Sequence, residues 1–452
     1  MTGRSTRPGQ AAAPSRTTAP VLSQATASAP SQATAPSPSQ TTASAPSQAA
    51  TLALSQTTAP ALSQATAPSP NRATAAALSQ TTAPALSQVT TPAQATSPLH
   101  LLIDRLAAGE KLTRTELACL LECREGEHRD YLFARAREIQ HRVFGNKVYI
   151  RGLIEFTNYC KNNCYYCGIR RDNRSASRYR LTEEQILECC RAGYELGFRT
   201  FVLQGGEDPY FTDGRITGLV RSIKAGYPDC AVTLSIGEKD RASYEAYFAA
   251  GADRYLLRHE TANDGHYGKL HPAELSLRRR MECLRDLKDI GFQTGAGFMV
   301  GSPGQTMDCI LDDLEFLRDF EPEMVGIGPF IPHHDTPFAA CAAGTLELTV
   351  YLLGLVRLML PRVLLPATTA LGTISPGGRE QGILAGANVV MPNLSPGDVR
   401  EKYLLYDNKI CTGNEAAECL DQLRQAMSSI GYEVAVDRGD APGHSKTEGS
   451  EL

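Results

Sequence analysis

Apolar positions along this chain change their period in a regular way. From Leu101 to Gly145 they fall three and four residues apart, in LLIDRLAAG and TELACLLEC, which predicts helices. The next 250 residues alternate. Eight short β-branched or apolar runs occupy 148–156, 200–206, 231–238, 254–261, 293–301, 324–332, 363–371 and 387–393, each of strand length. Amphipathic stretches of helix length separate most of them. One, LTEEQILECCRAGYELGF, opens with Thr182 and Gln185 placed as a capping box and ends near Gly197. Strand and helix alternating eight times predicts an α/β fold, a (β/α)8 TIM-type barrel, with a doubly wound open sheet as the competitor that the count of eight disfavours. The stretch EAAECLDQLRQAMSSIGYEVAV adds a last helix and a strand-like end.

Before Leu101 the periodicity is missing. Residues 1–98 are built from Ala, Ser, Thr, Pro and Gln, and LSQTTAPALSQ occurs at Leu54 and again at Leu78. Such a segment lacks the apolar surface that offsets ordering entropy, so disorder is expected. Its only charges are Arg4, Arg7, Arg16 and Arg72, and the acid-free, Ser/Thr-rich start resembles an organellar transit peptide. A hydrogenosome, mitochondrion or plastid is the expected destination, with a plain extension on a cytoplasmic protein as the alternative. The expected organisation is a disordered segment over 1–98, N-terminal helices over 99–145, the barrel with its C-terminal segment over 146–438, and a disordered polar tail over 439–452.

Charge narrows the partners. The whole chain carries −4, so the part beyond the arginine-bearing tail carries −8. An acidic folded part argues against nucleic acid as the main partner, because phosphate binding needs a dense basic surface. No run of 18 apolar residues exists to span a membrane.

Thirteen cysteines, an odd number spread over a large chain, read as reduced thiols with any cluster serving metal or redox chemistry. The strongest local signal is YCKNNCYYCGI, which places Cys160, Cys164 and Cys167 directly after the first expected strand. Three thiolates on a tight loop suit three irons of a 4Fe-4S cubane and leave the fourth open. That iron can chelate S-adenosylmethionine (SAM), whose reductive cleavage releases a 5′-deoxyadenosyl radical. The alternatives are a zinc site, for which no fourth Cys or His lies nearby, and three unrelated cysteines. Cys119 and Cys123 lie four apart on one helical face and are expected in the core.

The strand ends supply further candidates, since barrel active sites gather there. Gly205 and Gly206 let backbone approach a ligand, and Glu207 offers a carboxylate to an ammonium group. Glu238 follows the third strand. Arg258 in RHET after the fourth suits a carboxylate, with an Arg–Glu ion pair inside the barrel as the alternative. Thr368, Thr369, Arg379 and Asn393 form a polar, cationic lining for a small anionic or metal-bound substrate. His333, His334 and Asp335 could be a metal set, although a Pro-flanked loop is the plainer reading.

From about Leu101 to Cys419 the chain resembles the HydE family, the radical SAM maturases of FeFe hydrogenase. The blocks NYCKNNCYYCGIRRDN, LQGGEDPY, DRYLLRHETA, TGAGFMVGSPGQT, MVGIGPFIPHHDTP, LPATTALGTISPGGRE and GANVVMPN carry the resemblance. It implies that Cys160, Cys164 and Cys167 bind the cluster, that Glu207, Glu238 and Arg258 hold SAM, and that Tyr166 packs beside it. It further implies that Thr368, Thr369, Arg379 and Asn393 line a substrate cavity closed by Tyr403 and Tyr406. The substrate implied is a small iron complex, used together with a HydF-like scaffold and a HydG-like maturase to build the two-iron subcluster of the H-cluster. Some members bear a second cluster on three C-terminal cysteines. Here Cys411 and Cys419 match two of them and Gln422 stands at the third, so a single cluster is expected. No GTPase domain is expected after the barrel. The competing functions are a methylornithine synthase-like mutase, a biotin synthase-like sulfur inserter, and a non-catalytic iron–sulfur carrier.

Overall fold

The computed structural model describes residues 97–410 and 417–444. Eleven strands are present among them: β1 Lys147–Ile150, β2 Gly152–Thr157, β3 Thr200–Gly205, β4 Ala231–Ser235, β5 Arg254–Leu256, β6 Gln293–Ala296, β7 Met299–Val300, β8 Met324–Val325, β9 Gly328–Pro329, β10 Val389–Val390 and β11 Glu433–Ala435. One parallel sheet runs β2-β3-β4-β5-β6-β8. Single parallel bridges then join Met324 to Leu364 and Pro366 to Val389, and β10 pairs with β1. The ring therefore closes, as a (β/α)8 barrel requires, and the open sheet is excluded.

All eight expected runs contribute, but several are shorter than their apolar stretches. The run 363–371 keeps only two bridges, because Pro366 lacks an N–H for the ladder and Thr368 already caps the helix Thr369–Ile374. The runs 293–301 and 324–332 each break in two. A methyl group at Gly297 would lie 2.0 Å from the Gly326 carbonyl oxygen, so the two chains touch backbone to backbone where the strands bend away.

Local signals explain the helices well. Thr182 accepts from the Gln185 N–H while the Gln185 side chain accepts from Thr182 N, and the helix runs Glu183–Glu195. Thr113 and Glu116 cap Arg114–Glu122 in the same way. That helix, with Pro98–Ala107 and Gly126–Phe144, packs outside the barrel. Tyr351 of the apolar helix Leu346–Met359 donates to the Leu120 carbonyl, and Arg114 pairs with Asp312 and Glu315. Cys119 and Cys123 are not core residues. Leu117, Leu120 and Leu121 take the buried face, leaving Cys119 half-buried and Cys123 exposed at the helix end.

The C-terminal expectation also needs correcting. Residues Gly439–His444, expected within a disordered tail, close the N-terminal end of the barrel. Buried Arg254 donates to the Arg438 carbonyl and pairs with Asp440 at 2.6 Å; Gln293 bonds Asp440 and the Ala441 N–H. The sequence shows Asp440 as one more polar residue because its partners come from β5 and β6. The expectations for 1–96, for Cys411 and for 445–452 lie outside the described residues. Among the described residues no helix is long and apolar enough to cross a membrane, and every cysteine is a free thiol.

Candidate active site

The three cysteines follow β2 on a loop with almost no regular structure, so side chains and neighbouring strand ends hold it. Arg178 does most of this. Its guanidinium donates to the carbonyls of Asn158, Ile169, Arg170 and Asn173, which folds the loop around one half-buried cation. Asn173 returns a bond to the Gly168 carbonyl at 2.7 Å. Lys161 N donates to the Glu207 carbonyl, which ties the loop to the end of β3. A methyl group at Gly206 would lie 2.2 Å from the Tyr159 carbonyl oxygen and 2.8 Å from the Cys160 Cβ. The second glycine of Gly205-Gly206-Glu207 is therefore where the cysteine loop rests on β3.

Burial pushes all three thiols up from their ordinary value. Cys164 is raised well above it, with nearby Cys167 adding to the effect, and Cys167 is pushed up to about 12 with Cys160 adding. Three half-buried thiols this close do not ionise together without a positive charge among them. Structural zinc takes four protein ligands, whereas this loop brings three thiols; a cubane takes each thiolate on a different iron, and three thiols are a donor set that suits it.

Around the loop the other strand ends converge. Glu207 is buried, accepts from the Glu238 N–H at 3.0 Å and has Lys161 at 3.2 Å. Glu238 is held at 2.6 Å by Arg280, a buried guanidinium that also donates to the Arg258 carbonyl. Tyr166 is half-buried. Since His271 Nδ1 bonds the Tyr267 carbonyl, its Nε2 accepts from the Tyr166 hydroxyl at 3.3 Å, and burial keeps that imidazole neutral with its pKa lowered to about 3. Arg258 and Glu260 approach to 3.1 Å, yet the angle is too poor for a hydrogen bond. The distance gives an ion pair; the angle leaves Arg258 Nε and Nη2 and Glu260 Oε2 solvent-excluded without hydrogen-bond partners. Glu260 also holds a left-handed backbone at φ 66°, a conformation L-residues occupy only when the surroundings impose it.

The expected substrate residues are spread around the same end of the barrel. Thr368 has a buried hydroxyl without a partner. Thr369 opens the next helix, and Arg379 is buried in Gly378–Leu384, its pKa lowered to about 10 by burial. Asn393 is buried, but both ends of its amide are used, on Glu155 and on the Ser395 N–H. Tyr403 and Tyr406 lie on a strap, residues 402–410, that crosses the mouth. Leu405 O accepts from Gly168 N, beside Cys167, and Asp407 N donates to Pro332 O. Tyr403 is buried with its hydroxyl against Gln204, and Tyr406 meets Thr373. His333, His334 and Asp335 are brought within ligand distance of one another, but Asp407 of the strap is among them, 2.6 Å from His334 Nδ1.

A model of the radical SAM superfamily matches residues 154–317. The [FeFe] hydrogenase maturase subunit HydE of Thermotoga maritima is 46% identical over 338 residues, 75% of this chain and 96% of that protein. This chain belongs to the HydE family. A 3-methylornithine synthase of Methanosarcina acetivorans is 29% identical over 345 residues, 75% of this chain and 95% of that protein. In the solved structures, methylornithine synthase (PylB) superposes with a TM-score of 0.66 at 28% identity, covering 74% of this chain and 97% of that one. Family membership brings with it a 4Fe-4S cluster and SAM as cofactors of a radical SAM enzyme, and the thiol loop offers the matching donor set.

For this HydE-family chain the sequence reading missed the supports of the site. Glu155 lies in β2 with all six strand residues buried, and Lys409 pairs with it at 2.5 Å, the two side chains 1% and 6% exposed. Lys409 also donates to the Tyr403 carbonyl. A glutamate at a fully buried strand position was the available signal, for it demands a cationic partner. Nothing local marked Arg178, Arg280 or His271.

Proposed function

We propose that Cys160, Cys164 and Cys167 hold a single 4Fe-4S cluster, and that SAM lies between that cluster and Tyr166, Gly205, Gly206, Glu207, Glu238 and Arg258. When bound, this pair supplies a 5′-deoxyadenosyl radical. The protein's own groups then have distinct tasks. Glu207 and Glu238 present carboxylates to the amine and hydroxyl groups of the cofactor, with Arg280 fixing Glu238. Arg258 presents a cation to its carboxylate. Tyr403, Tyr406, Thr368, Thr369 and Arg379 surround a small iron-containing substrate, and the strap limits water at the mouth. Asn393 acts through Glu155.

One observation carries this reading. Arg258, Glu260 and Thr368 bury polar atoms without hydrogen bonds at the same opening as the thiol loop, and such atoms in folded proteins normally find a partner. A polar ligand with both acceptor and donor groups supplies it. A carrier that only passes on a cluster has no use for these groups. The partners proposed are a HydF-like scaffold and a HydG-like maturase in assembly of the two-iron subcluster. Residues 1–98 are proposed as an organellar address, for which diffuse cytosolic signal from that segment fused to a reporter would count against. One cluster rather than two is proposed because Gln422, exposed on the helix Leu420–Ser429, stands where a third thiol would be needed beside Cys419.

The enzyme reading is tested by anaerobic reconstitution with iron and sulfide, followed by dithionite and SAM. The expected product is 5′-deoxyadenosine, with four irons per chain as the ideal loading of one cubane. Cys164→Ala abolishes both the visible cluster absorption and the product. An intact cluster that yields no 5′-deoxyadenosine overturns the enzyme reading and favours the carrier.

A further inference from the structure

Among the described residues, two groups of side chains have ligand atoms all within 4.8 Å of one another: His333, His334 and Asp335 under the strap, and His100, Glu127 and His128 outside the barrel. They differ in how far they are already satisfied. In the first, His334 Nδ1 lies 2.6 Å from Asp407, His334 Nε2 lies 3.2 Å from Asp335, and His333 Nδ1 accepts from the Asp335 N–H. That set is complete as an ion-pair cluster. In the second, His100 Nε2 and His128 Nδ1 are solvent-excluded and have no hydrogen-bond partner. Two imidazole nitrogens shut away from water with nothing to bond are a cost that a folded protein seldom carries.

We infer that His100, His128 and Glu127 form a site for a borderline divalent transition ion, with Zn²⁺ as the reference case. Two imidazoles and one carboxylate are a donor set this ion takes, leaving a fourth position for water. Glu127 is exposed, which gives the ion an entry path. The ring of His100 is held by stacking on Tyr131, with centroids 4.0 Å apart and planes at 21°. Tyr131 is itself fixed by a 2.9 Å bond to Asp104. His100 is in the first turn of Pro98–Ala107 and His128 in the first turn of Gly126–Phe144. An ion there staples the starts of two helices. Two helix N-termini disfavour a cation, which the Glu127 carboxylate opposes. The site lies where residues 1–96 join the described fold, so it fixes the first helix after that segment.

The test uses the full chain with its iron–sulfur cluster reconstituted, so that the cysteine triad is occupied. After chelator treatment, Zn²⁺ is added, excess is removed, and zinc is counted per chain; Co²⁺ is used in parallel for its visible d–d absorption. One zinc per chain is expected. His100→Ala and His128→Ala lose it, while His334→Ala keeps it. Glu127→Gln, at an exposed position that folding does not depend on, lowers affinity on the order of tenfold or more, since even outer-sphere losses cost about 10–100-fold. No retained zinc in the parent chain, zinc retained in both histidine variants, or unchanged affinity in Glu127→Gln each overturns the assignment. So does loss of the zinc in His334→Ala alone.

Discussion

At the scale of single residues, the site depends on positions with little spare room. Gly206 abuts the Tyr159 carbonyl and Cys160, so a methyl group there meets backbone that cannot swing aside. Gly206→Ala is expected to cost about 1–3 kcal/mol through overpacking and, more diagnostically, to displace Cys160. Iron content after reconstitution should fall while the far-UV circular dichroism is kept; full iron loading would contradict the placement. The Glu155–Lys409 pair gives a second residue-scale expectation. Breaking one side of a buried pair leaves an uncompensated charge and costs about 3–5 kcal/mol. Lys409→Met should therefore destabilise more than Glu155→Gln with Lys409→Met together. Chemical denaturation of the single and double variants measures this, and equal losses would show that the pair is not buried in solution.

At the scale of elements, the strap 402–410 is held at Gly168, at Pro332, at Glu155 and at His334. The last of these responds to pH. The hydrogen bond to Asp407 raises the pKa of His334 above 6.5, with Asp335 adding to it and burial opposing. The groups facing it are Asp407, Asp335 and the stacked ring of His333. A raised folded-state pKa means this contribution is complete below about 6.5 and is lost as pH rises through the higher folded value. Amide exchange of residues 403–409 should accordingly speed up, beyond the intrinsic pH effect, as pH passes through that value. His334→Gln should remove the extra pH dependence. The same element shows what sequence could reveal. Eight apolar runs and the cysteine triad were legible because period and spacing are local properties, and so the barrel and the thiol loop were both readable. Arg280 was not, because its task is set by Glu238, forty-two residues away in the chain and 2.6 Å away in space. Cys119 and Cys123 misled for a related reason. Their spacing fits one helical face, but leucines one and two positions off that register have more apolar surface to bury. Asn393 was placed correctly at a strand end, yet Glu155, whose charge uses its amide, could not be paired with it from sequence alone.

At the scale of the whole molecule, chemistry is at one end of the barrel and a polar plug is at the other. Buried Arg254 would lose the carboxylate that touches it if residues beyond Arg438 were loose, keeping only the attraction of Asp253; Asp440 supplies that contact, with Arg438 completing the set. Burial alone would raise the Asp440 pKa, but attraction to Arg254 and bonds from Arg438 and Gln293 outweigh it and hold the value at about 2. A depressed folded-state pKa stabilises above the unfolded value of 3.8 and is lost as pH falls through about 2. Asp440→Asn is therefore expected to lower stability at neutral pH on the order of 3 kcal/mol and to flatten the loss of stability between pH 4 and pH 2. Thermal unfolding of both proteins across that range measures the two effects together. Cluster loading should be unchanged well below the melting temperature, since the plug and the thiol loop occupy opposite ends of the strands. Reduced iron binding by a folded Asp440→Asn protein would show that the two ends are coupled through the barrel. A neutral-pH stability equal to that of the parent would instead mean that the plug does not hold Arg254 in solution.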